Sequence, residues 1–533
     1  MNRIYCMVIG DIVNSKKINS SERARIQRQL KTTLEKINFD YYLHICSRFS
    51  ITLGDELQGG LYSLYPLFEI LESIKKSIYP YMIRFGIGID TMRTDIHYID
   101  SLSSDGLAYY NARESLESLK KTKTTHYGYR FSSSFYDMSL VNNTISLCEC
   151  ISKKWTETQI KYIELFQQNP KMELVTIAKR LNVNVSSVSR GFASTNYKLI
   201  NDALKSIKNT LFNAIFASEN NSQFWAAYNR CCMLINEQSY KEALEIWLDK
   251  DWTLLISGND LRDYYAIRAL LSNLLNEPED SKEAISFAEK ALEYMHKEDK
   301  CHKIKMLNVL GVCYSNINKY ENAKKNFNEA IELMKNDEGI ESWYAYTIGN
   351  KARMFMCESR YYGKEGNVEE KKCAIKNAEQ GFNEVEKLLN TELFNNDAKT
   401  IITLYGLQAR MYFENEEYRK SLETFEKAYR LAEQVYEKSA KKFAYLKYNF
   451  AELLIFLLDK PDYENILGQY DVLFVYEMLK DVESAFKKIQ TTKSENLRSC
   501  YDKLIQLETK HGEQIRVLQY EQKKNKLEVK KNG

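Results

Sequence analysis

Two short segments place carboxylates at the ends of predicted strands. In GDIVNSKK, Asp11 follows the apolar residues 4–10. In LGDELQGG, Asp55 and Glu56 follow the predicted strand at residues 49–53, in which apolar and hydroxyl residues alternate. The chain between them is long enough for a strand, a helix and a returning strand, so the two aspartates could face each other on adjacent antiparallel strands. Paired carboxylates are what a two-Mg²⁺ site needs, because one ion lowers the pKa of an attacking hydroxyl and the other holds a triphosphate. Asp11 and Asp55 are therefore candidate metal ligands.

A purely structural role for these acidic residues stays open. An aspartate that follows a strand commonly forms a turn or caps a helix. The spacing alone therefore leaves two interpretations, a metal–nucleotide site and a pair of turns.

The elements that would position these carboxylates alternate over residues 1–150. Ile26, Leu30, Leu34 and Ile37 recur at helical spacing on one face. Interleaved strands and helices predict an α/β sandwich with one mixed sheet. We place strands at residues 4–10, 49–53 and 82–90, and helices at residues 21–37, 67–78 and 106–120.

Residues 151–215 change to short helical segments. The segment LVTIAKRL is followed by the turn Asn182-Val183-Asn184 and by a helix that begins at Val185. Ala178 is small where the two helices would cross, and the turn carries an apolar valine. This layout predicts a helix-turn-helix.

The second helix of that pair offers small polar and basic side chains. Ser186, Ser187 and Arg190 could reach base edges, while Lys179 and Arg180 could meet phosphates. The alternative is a unit that serves only packing or dimerisation. Both interpretations stay open because the basic residues are few.

A helical repeat begins near residue 222. Its clearest copy, LNVLGVCYSNINKYENAKKNFNEAI, has small residues at Gly311 and Ala323 and large ones at Tyr314, Tyr320 and Phe327. This is the spacing of tetratricopeptide (TPR) hairpins, in which small residues let two helices approach closely. We predict an α-solenoid over residues 222–510, with a concave surface for a protein or peptide. Residues 511–533 form a Lys-rich C-terminal tail, of which residues 521–533 should be solvated and frayed.

Composition excludes several classes of protein. Lys and Arg number 75 against 72 for Asp and Glu, so any nucleic-acid surface must be a local patch. There is no CxxC pair for a zinc site, no secretory signal pattern and no apolar stretch that would span a membrane. We expect a cytoplasmic protein with no membrane partner.

GDIVNS, ITLGDELQG, RFGIGI and DGLAYYNARESLESLKK, in this order, resemble the SatD family of bacterial proteins. The resemblance extends through the helix-turn-helix segment. More distantly, the same order of motifs resembles class III nucleotidyl cyclases and GGDEF cyclases. Those enzymes share a palm-like, ferredoxin-type core, so the resemblance implies that fold for residues 1–150.

The resemblance also implies roles for individual residues. By position, Asp11 and Asp55 match the metal ligands, and Ile12 would offer its backbone carbonyl to the metal. Glu56 matches the acidic residue after the Gly-Asp turn of the GGDEF motif. The implied cofactor is Mg²⁺.

The helix AYYNARESLE would supply the positive charge. Arg113 resembles the arginine that neutralises phosphate, and Lys120 could reach the same triphosphate. One departure stands beside these matches: four residues before Arg113, where class III enzymes have Asn, this chain has Tyr109. The residues implied as catalytic are Asp11, Asp55, Glu56 and Arg113.

Three functions follow from these features. The first is a signalling protein whose cyclase-like domain binds Mg²⁺ and a nucleoside triphosphate, with nucleotide second-messenger synthesis under the control of the repeat array. That function would require a homodimer, because class III sites form between two catalytic domains. The second is a DNA-binding regulator with a catalytically inactive nucleotide sensor. The third is a protein-interaction scaffold.

Overall fold

The computed structural model describes most of the chain. The described residues are 3–52, 55–94, 96, 105–121, 128–168, 174–216, 222–237, 239–248, 250–275, 278–296, 299–335, 337–389, 398–436, 440–463, 467, 470–489 and 495–529.

The N-terminal unit is a five-stranded sheet with four helices. The strand order is β2-β3-β1-β4-β5, with β1 antiparallel to both β3 and β4, and β5 parallel to β4. A buried asparagine joins helix to strand twice: Asn38 bonds both backbone groups of Phe49, and Asn142 does the same for Phe131. The elements are β1 (Ile4–Ile12), α1 (Ser20–Asp40), β2 (Ile45–Ile51), β3 (Glu56–Leu61), α2 (Leu67–Ser77), β4 (Ile83–Thr91), α3 (Leu107–Lys121), β5 (Tyr129–Ser133) and α4 (Ser139–Ser152).

Alternate residues of β1 point to opposite faces of the sheet. Cys6 and Val8 pack in one core with the apolar faces of α1 and α2. Met7 and Ile9 pack on the other face with α3 and with the C-terminal array. The sheet is therefore covered on both faces.

Two glycines of β4 explain how α3 comes so close to the sheet. A Cβ atom at Gly86 would lie 2.0 Å from the carbonyl oxygen of Ala112, and one at Gly88 would lie 1.9 Å from that of Ala108. Any side chain at either position would push α3 outward. The segment RFGIGI thus lets α3 lie directly on β4.

A small helical unit follows the sheet. Its own core consists of Tyr162, Ile177, Ala178 and Val188. The last helix, α8, continues into a π-helical turn, Phe212–Phe216, whose apolar side chains join the core of α1 and α2. The four helices are α5 (Glu157–Gln168), α6 (Leu174–Leu181), α7 (Val185–Ala193) and α8 (Tyr197–Leu211).

The rest of the chain is an array of helical hairpins. Close approach within the clearest hairpin depends on Gly311, where a Cβ would lie 2.6 Å from the ring of Phe327. Among the described residues, no helix combines the length and the apolar character that crossing a membrane requires. The helices are α9 (Gln223–Asn236), α10 (Tyr240–Glu245), α11 (Asn259–Leu275), α12 (Pro278–Glu293), α13 (Lys300–Asn316), α14 (Tyr320–Met334), α15 (Glu341–Lys364), α16 (Val368–Leu389), α17 (Ala398–Glu414), α18 (Tyr418–Val435), α19 (Lys441–Leu458), α20 (Val472–Ile489), α21 (Glu495–His511) and α22 (Gln514–Val529).

The array is attached to the sheet by aromatic and charged side chains. The Arg3 guanidinium lies 3.3 Å from the ring centre of Trp225 and 4.0 Å from that of Tyr62, and it pairs with Asp260 at 3.0 Å. The hydroxyl of Tyr228 donates to the backbone oxygen of Leu43 at 2.9 Å. These contacts hold the start of the array on the end of the sheet.

Two parts of the chain differ from the sequence expectation. The sequence predicts a turn at Gly54-Asp55 and no element for ELQGGL, which is the buried strand β3, where the ring of Phe49 covers Gly59, and Met7 with Cys46 covers Gly60. Within the segment expected to be frayed, residues 521–533, helix α22 continues to Val529, and Lys524 pairs with Asp502 at 2.5 Å.

Candidate functional site

Charged side chains converge where β1 ends. In the register of the sheet, Asp11 lies opposite Glu56 on β3 and opposite Arg84 on β4. Residues that face each other on adjacent strands project from the same face of a sheet. Three charged side chains therefore leave the same face at the same level, and Glu56, rather than Asp55, is the direct partner of Asp11.

Helix α3 crosses this face and adds two cations. Arg113 donates to both carboxylate oxygens of Glu56, with Nη2 at 2.8 Å from Oε1. Lys120 Nζ lies 3.6 Å from Oδ1 of Asp11. Gln58 donates to Glu56 at 3.0 Å. We name the group formed by Asp11, Glu56, Arg84, Arg113 and Lys120 the Asp11 cluster.

The Asp11 cluster is open to solvent on the side of its cations. The side chains of Glu56 and Asp11 are 11% and 18% exposed, whereas those of Lys120 and Arg113 are 31% and 42% exposed. The carboxylates thus form the floor of the cluster, and the cations form its rim. A ligand from solvent would meet the positive charges first.

The two carboxylates differ in their electrostatics. Burial raises the pKa of Asp11; Lys120 and Arg84 oppose the rise, and Asp55 adds to it. Burial acts in the same direction on Glu56, but hydrogen bonds from Arg113 and Gln58 outweigh it and hold the pKa of Glu56 below its ordinary value. Glu56 is therefore well neutralised, whereas Asp11 has negative charge that its neighbours compensate less fully.

The remaining predicted site residues flank the cluster. Asp55 lies in the turn before β3, close enough to Asp11 to affect its pKa. The side chain of Ile12 is buried in the core of α1 and α2, so only its backbone is available to a ligand. Gly54 of the predicted Gly-Asp turn lies outside the described residues.

The donor atoms fit a hard divalent cation that takes few of its ligands from the protein. Asp11 and Asp55 supply carboxylate oxygens, which Mg²⁺ prefers, and Mg²⁺ commonly uses one or two carboxylates together with water and phosphate oxygens. Within the part of the chain that the structure describes, no three acidic, His or Cys side chains gather into a closed metal cage. The fit is therefore to a metal that arrives with a phosphate ligand.

The second predicted set of residues lies on α6 and α7. Ser186, Ser187 and Arg190 are exposed, because α7 turns Val188 into the small core and these residues away from it. Lys179 is exposed at the end of α6. The side chain of Arg180 lies outside the described residues.

Sequence reasoning missed Arg84 and Gln58 as members of the site. Arg84 is the first residue of the motif RFGIGI, and Gln58 stands inside the motif LGDELQGG. Arg84 lies directly opposite Asp11, and Gln58 lies two residues after Glu56 on the same strand. Both side chains therefore project from the same face of the sheet as Asp11, but the sequence does not reveal the register that shows this.

Two family models match the chain. The model of the SatD family matches residues 5–211, and the tetratricopeptide repeat model matches residues 304–337 and 402–435. The second model covers α13 with α14, and α17 with α18, as the repeat spacing predicts. No curated protein matches the chain. The N-terminal region, residues 5–211, belongs to the SatD family, and the chain joins this region to a C-terminal array of tetratricopeptide repeats.

Proposed function

We propose that this chain is a regulatory protein whose α/β unit binds a nucleoside triphosphate together with Mg²⁺ at the Asp11 cluster. One observation carries the proposal. Asp11, Glu56 and the pair Arg113 and Lys120 of α3 come from three distant segments of the chain, and they lie together on one face of the sheet. Two carboxylates beneath two half-exposed cations are a suitable arrangement for a metal and a polyphosphate.

In this proposal Asp11 and Asp55 hold the metal. Mg²⁺ would stabilise the charged form of Asp11, which burial disfavours, and it would neutralise phosphate oxygens of the nucleotide. The backbone carbonyl of Ile12, at the end of β1, is the third donor that the family resemblance suggests.

Arg113 and Lys120 hold the phosphates. A guanidinium binds phosphate through two parallel hydrogen bonds, as it binds Glu56 in this structure. Because Arg113 and Lys120 are partly exposed, both can exchange a carboxylate for a phosphate with little loss of burial. Before a phosphate binds, Glu56 positions Arg113.

The sheet topology supports a ferredoxin-type, palm-like interpretation. The first four strands have the order β2-β3-β1-β4, all neighbours are antiparallel, and α1 and α2 share one face. Conversion of the triphosphate to a cyclic or linear nucleotide is the catalytic form of the proposal, and an inactive nucleotide sensor is its binding form. Pyrophosphate release from ATP or GTP distinguishes the two.

The test is the thermal stability of the full chain with ATP or GTP, in the presence and absence of Mg²⁺. We expect a nucleotide-dependent rise of Tm that Asp11→Asn and Asp55→Asn each remove. Glu114→Gln is the matched control, because Glu114 is an exposed carboxylate on α3 outside the cluster. Wild-type Tm shifts in the double variant Asp11→Asn/Asp55→Asn would exclude the site.

A second function, DNA binding, is favoured by the exposed polar side of α7. Helices α6 and α7 with the turn between them support the helix-turn-helix interpretation, in which Ser186, Ser187 and Arg190 would meet base edges. Lys179 and Arg180 would meet phosphates. The turn residue Asn182 has a φ of 52°, the left-handed conformation that Asn tolerates well.

Full-length protein is needed to test this function, because α8 ends in the core of the α/β unit. We expect binding to duplex DNA that weakens steeply with salt, and Arg190→Ala should lower the affinity about tenfold. Lys241→Ala, an exposed lysine on α10, is the control. Equal affinity in all three proteins would leave α5–α8 as a structural connector.

The repeats suggest a protein or peptide partner. A homodimer is also part of the proposal, since a class III-like reaction would require groups from a second catalytic domain. Light scattering of the full chain across a range of concentrations measures the mass, and a monomer that turns over nucleotide would exclude the shared site.

A further inference from the structure

A cleft of about 890 Å³ lies between the α/β unit and α8, away from the Asp11 cluster. Helix α2, the loop into β4 and helix α4 form one wall, and α8 forms the other. Its volume is in the range of small-molecule sites, which often form between structural units. None of the residues assigned so far to nucleotide or DNA lines this cleft.

The cleft has aromatic walls. Tyr79, Tyr81, Tyr129, Trp155 and Tyr197 line it, and Tyr79 is 65% exposed. Tyr129 is buried and the other four rings are at least partly exposed, and flat rings of this kind favour a planar apolar group.

Lysines outnumber acids in the lining, five to three. Lys75 is held between Glu72 at 3.2 Å and Glu149 at 3.8 Å, and it lies over the ring of Tyr129. Lys208 pairs with Glu69 at 3.1 Å. All three acids are therefore engaged.

The remaining lysines of the lining, Lys76, Lys153 and Lys205, are exposed. Among them, Lys205 is exposed on α8 and forms no ion pair with any residue in the described part of the chain. A ligand would place its apolar rings among the aromatic side chains and an anionic group near these lysines.

Two residues that line the cleft, Trp155 and Tyr197, also pack in the small helical unit. The indole of Trp155 donates to the backbone oxygen of Thr195 at 2.8 Å. The ring of Tyr197 packs on Phe166 of α5 and on Phe192 of α7. A molecule in the cleft would touch the two aromatic residues that connect α5–α7 to α8.

We propose that this cleft binds a small planar aromatic anion, and that its occupancy changes the position of α6 and α7 relative to the α/β unit. The ligand site follows from the cleft itself. The regulatory half rests on the proposed DNA contact, so the two are measured separately.

Two probes test the ligand chemistry. They are 1-anilinonaphthalene-8-sulfonate and N-phenyl-1-naphthylamine, which has the same rings without the sulfonate. We expect saturable binding of the sulfonate to one site on the folded full chain, with energy transfer from Trp155. The other tryptophans that could donate lie in the array, so Trp155→Phe should remove most of the transfer.

Variants separate shape from charge. Ser73→Trp, on α2, should fill the cleft and abolish binding of both probes, and Asn201→Trp serves the same purpose from α8. Lys205→Glu should weaken the sulfonate about threefold or more and leave the neutral probe unchanged. Lys241→Glu, far from the cleft on α10, is the matched charge control.

Several outcomes would overturn the site. Unchanged sulfonate binding in both filling variants would place the probe elsewhere. Equal effects of Lys205→Glu on the two probes would remove the anion preference. If both ligand tests succeed but the sulfonate leaves DNA affinity unchanged in a protein that binds DNA, only the coupling fails.

Discussion

Two charge clusters on the same side of the sheet differ in their exposure. In the Arg262 cluster, Arg262 bridges Asp263 at 2.7 Å and Asp299 at 3.0 Å, His302 contacts Asp299, and all four side chains are at most 3% exposed. In the Asp11 cluster the side chains of Lys120 and Arg113 are 31% and 42% exposed.

Solvent exposure of the charged side chains separates a structural cluster from one that can bind a ligand. Every partner in the Arg262 cluster is fixed by burial, and Arg262 also lies 3.5 Å from the Tyr62 hydroxyl at the junction with the sheet. No ligand can enter there without unfolding the junction. The Asp11 cluster has ion pairs of the same kind, but solvent reaches them, so they can be exchanged for a ligand.

The largest expected effect is on stability at the buried cluster. Arg262→Met leaves two buried carboxylates without their shared cation, so the free energy of unfolding should fall by about 3–5 kcal/mol. Urea denaturation measures it. The matched control is Arg419→Met, which removes a pair with side chains 75% and 62% exposed and should leave the midpoint unchanged. Equal midpoints for the two variants would contradict the structural role.

A smaller loss is expected where α3 meets β4. Gly88→Ala should cost about 1–3 kcal/mol, because the new methyl group collides with the backbone of Ala108. The displaced helix should also weaken nucleotide binding, since it carries Arg113 and Lys120. Gly363→Ala is the control, because a Cβ there meets only the flexible Lys371 at 3.5 Å. Gly88→Ala with unchanged stability would mean that the contact is looser than described.

The sequence identified the parts of this arrangement that depend on local spacing. Ile26, Leu30, Leu34 and Ile37 are all buried on α1, and α6 has the predicted bounds of residues 174–181. The sequence did not predict strand β5 or helix α4, because neither segment has a clear hydrophobic periodicity.

Long-range packing lay beyond the sequence. Nothing local to Arg3 or Tyr62 indicates that they meet Trp225, because that contact depends on how the array folds back on the sheet. The order of the motifs gathered Asp11, Glu56, Arg113 and Lys120 into one candidate site, but only the register of the sheet adds Arg84.

A pH test extends the comparison to Lys305, a buried cation that forms no ion pair with an acidic residue in the described part of the chain. Lys305 is 5% exposed, and burial lowers its pKa to about 7, with Cys301 and Asp40 opposing and Lys36 adding to the shift. Since the unfolded chain binds this proton more tightly, stability should fall as pH is lowered from the ordinary lysine pKa towards 7 and should level off below it. The slope approaches about 1.4 kcal/mol per pH unit.

Denaturation between about pH 9 and pH 7 measures this slope. Lys305→Met should flatten it. The ring centre of Trp343 lies 2.7 Å from the Lys305 nitrogen and favours the charged form, so it narrows the pH range over which stability falls. The same slope in both proteins would show that another group titrates.

The smallest effect on stability is expected in the Asp11 cluster. Arg113→Met should lower the free energy of unfolding by about 1 kcal/mol or less, because its pair with Glu56 is partly exposed. Urea denaturation of Arg113→Met and Arg262→Met under the same conditions compares the two losses directly. A loss as large as that of Arg262→Met would make the Asp11 cluster a structural one.

The most direct test of Mg²⁺-dependent nucleotide binding at the Asp11 cluster is the affinity of the full chain for ATP and GTP. This affinity is measured by titration calorimetry with and without Mg²⁺. We predict that wild-type protein binds at least one of them more tightly with Mg²⁺, and that Asp11→Asn removes the dependence on Mg²⁺. Arg113→Met should weaken binding but keep that dependence. No binding by the wild-type protein, or the same dependence on Mg²⁺ in Asp11→Asn, would contradict a Mg²⁺–nucleotide site at the Asp11 cluster.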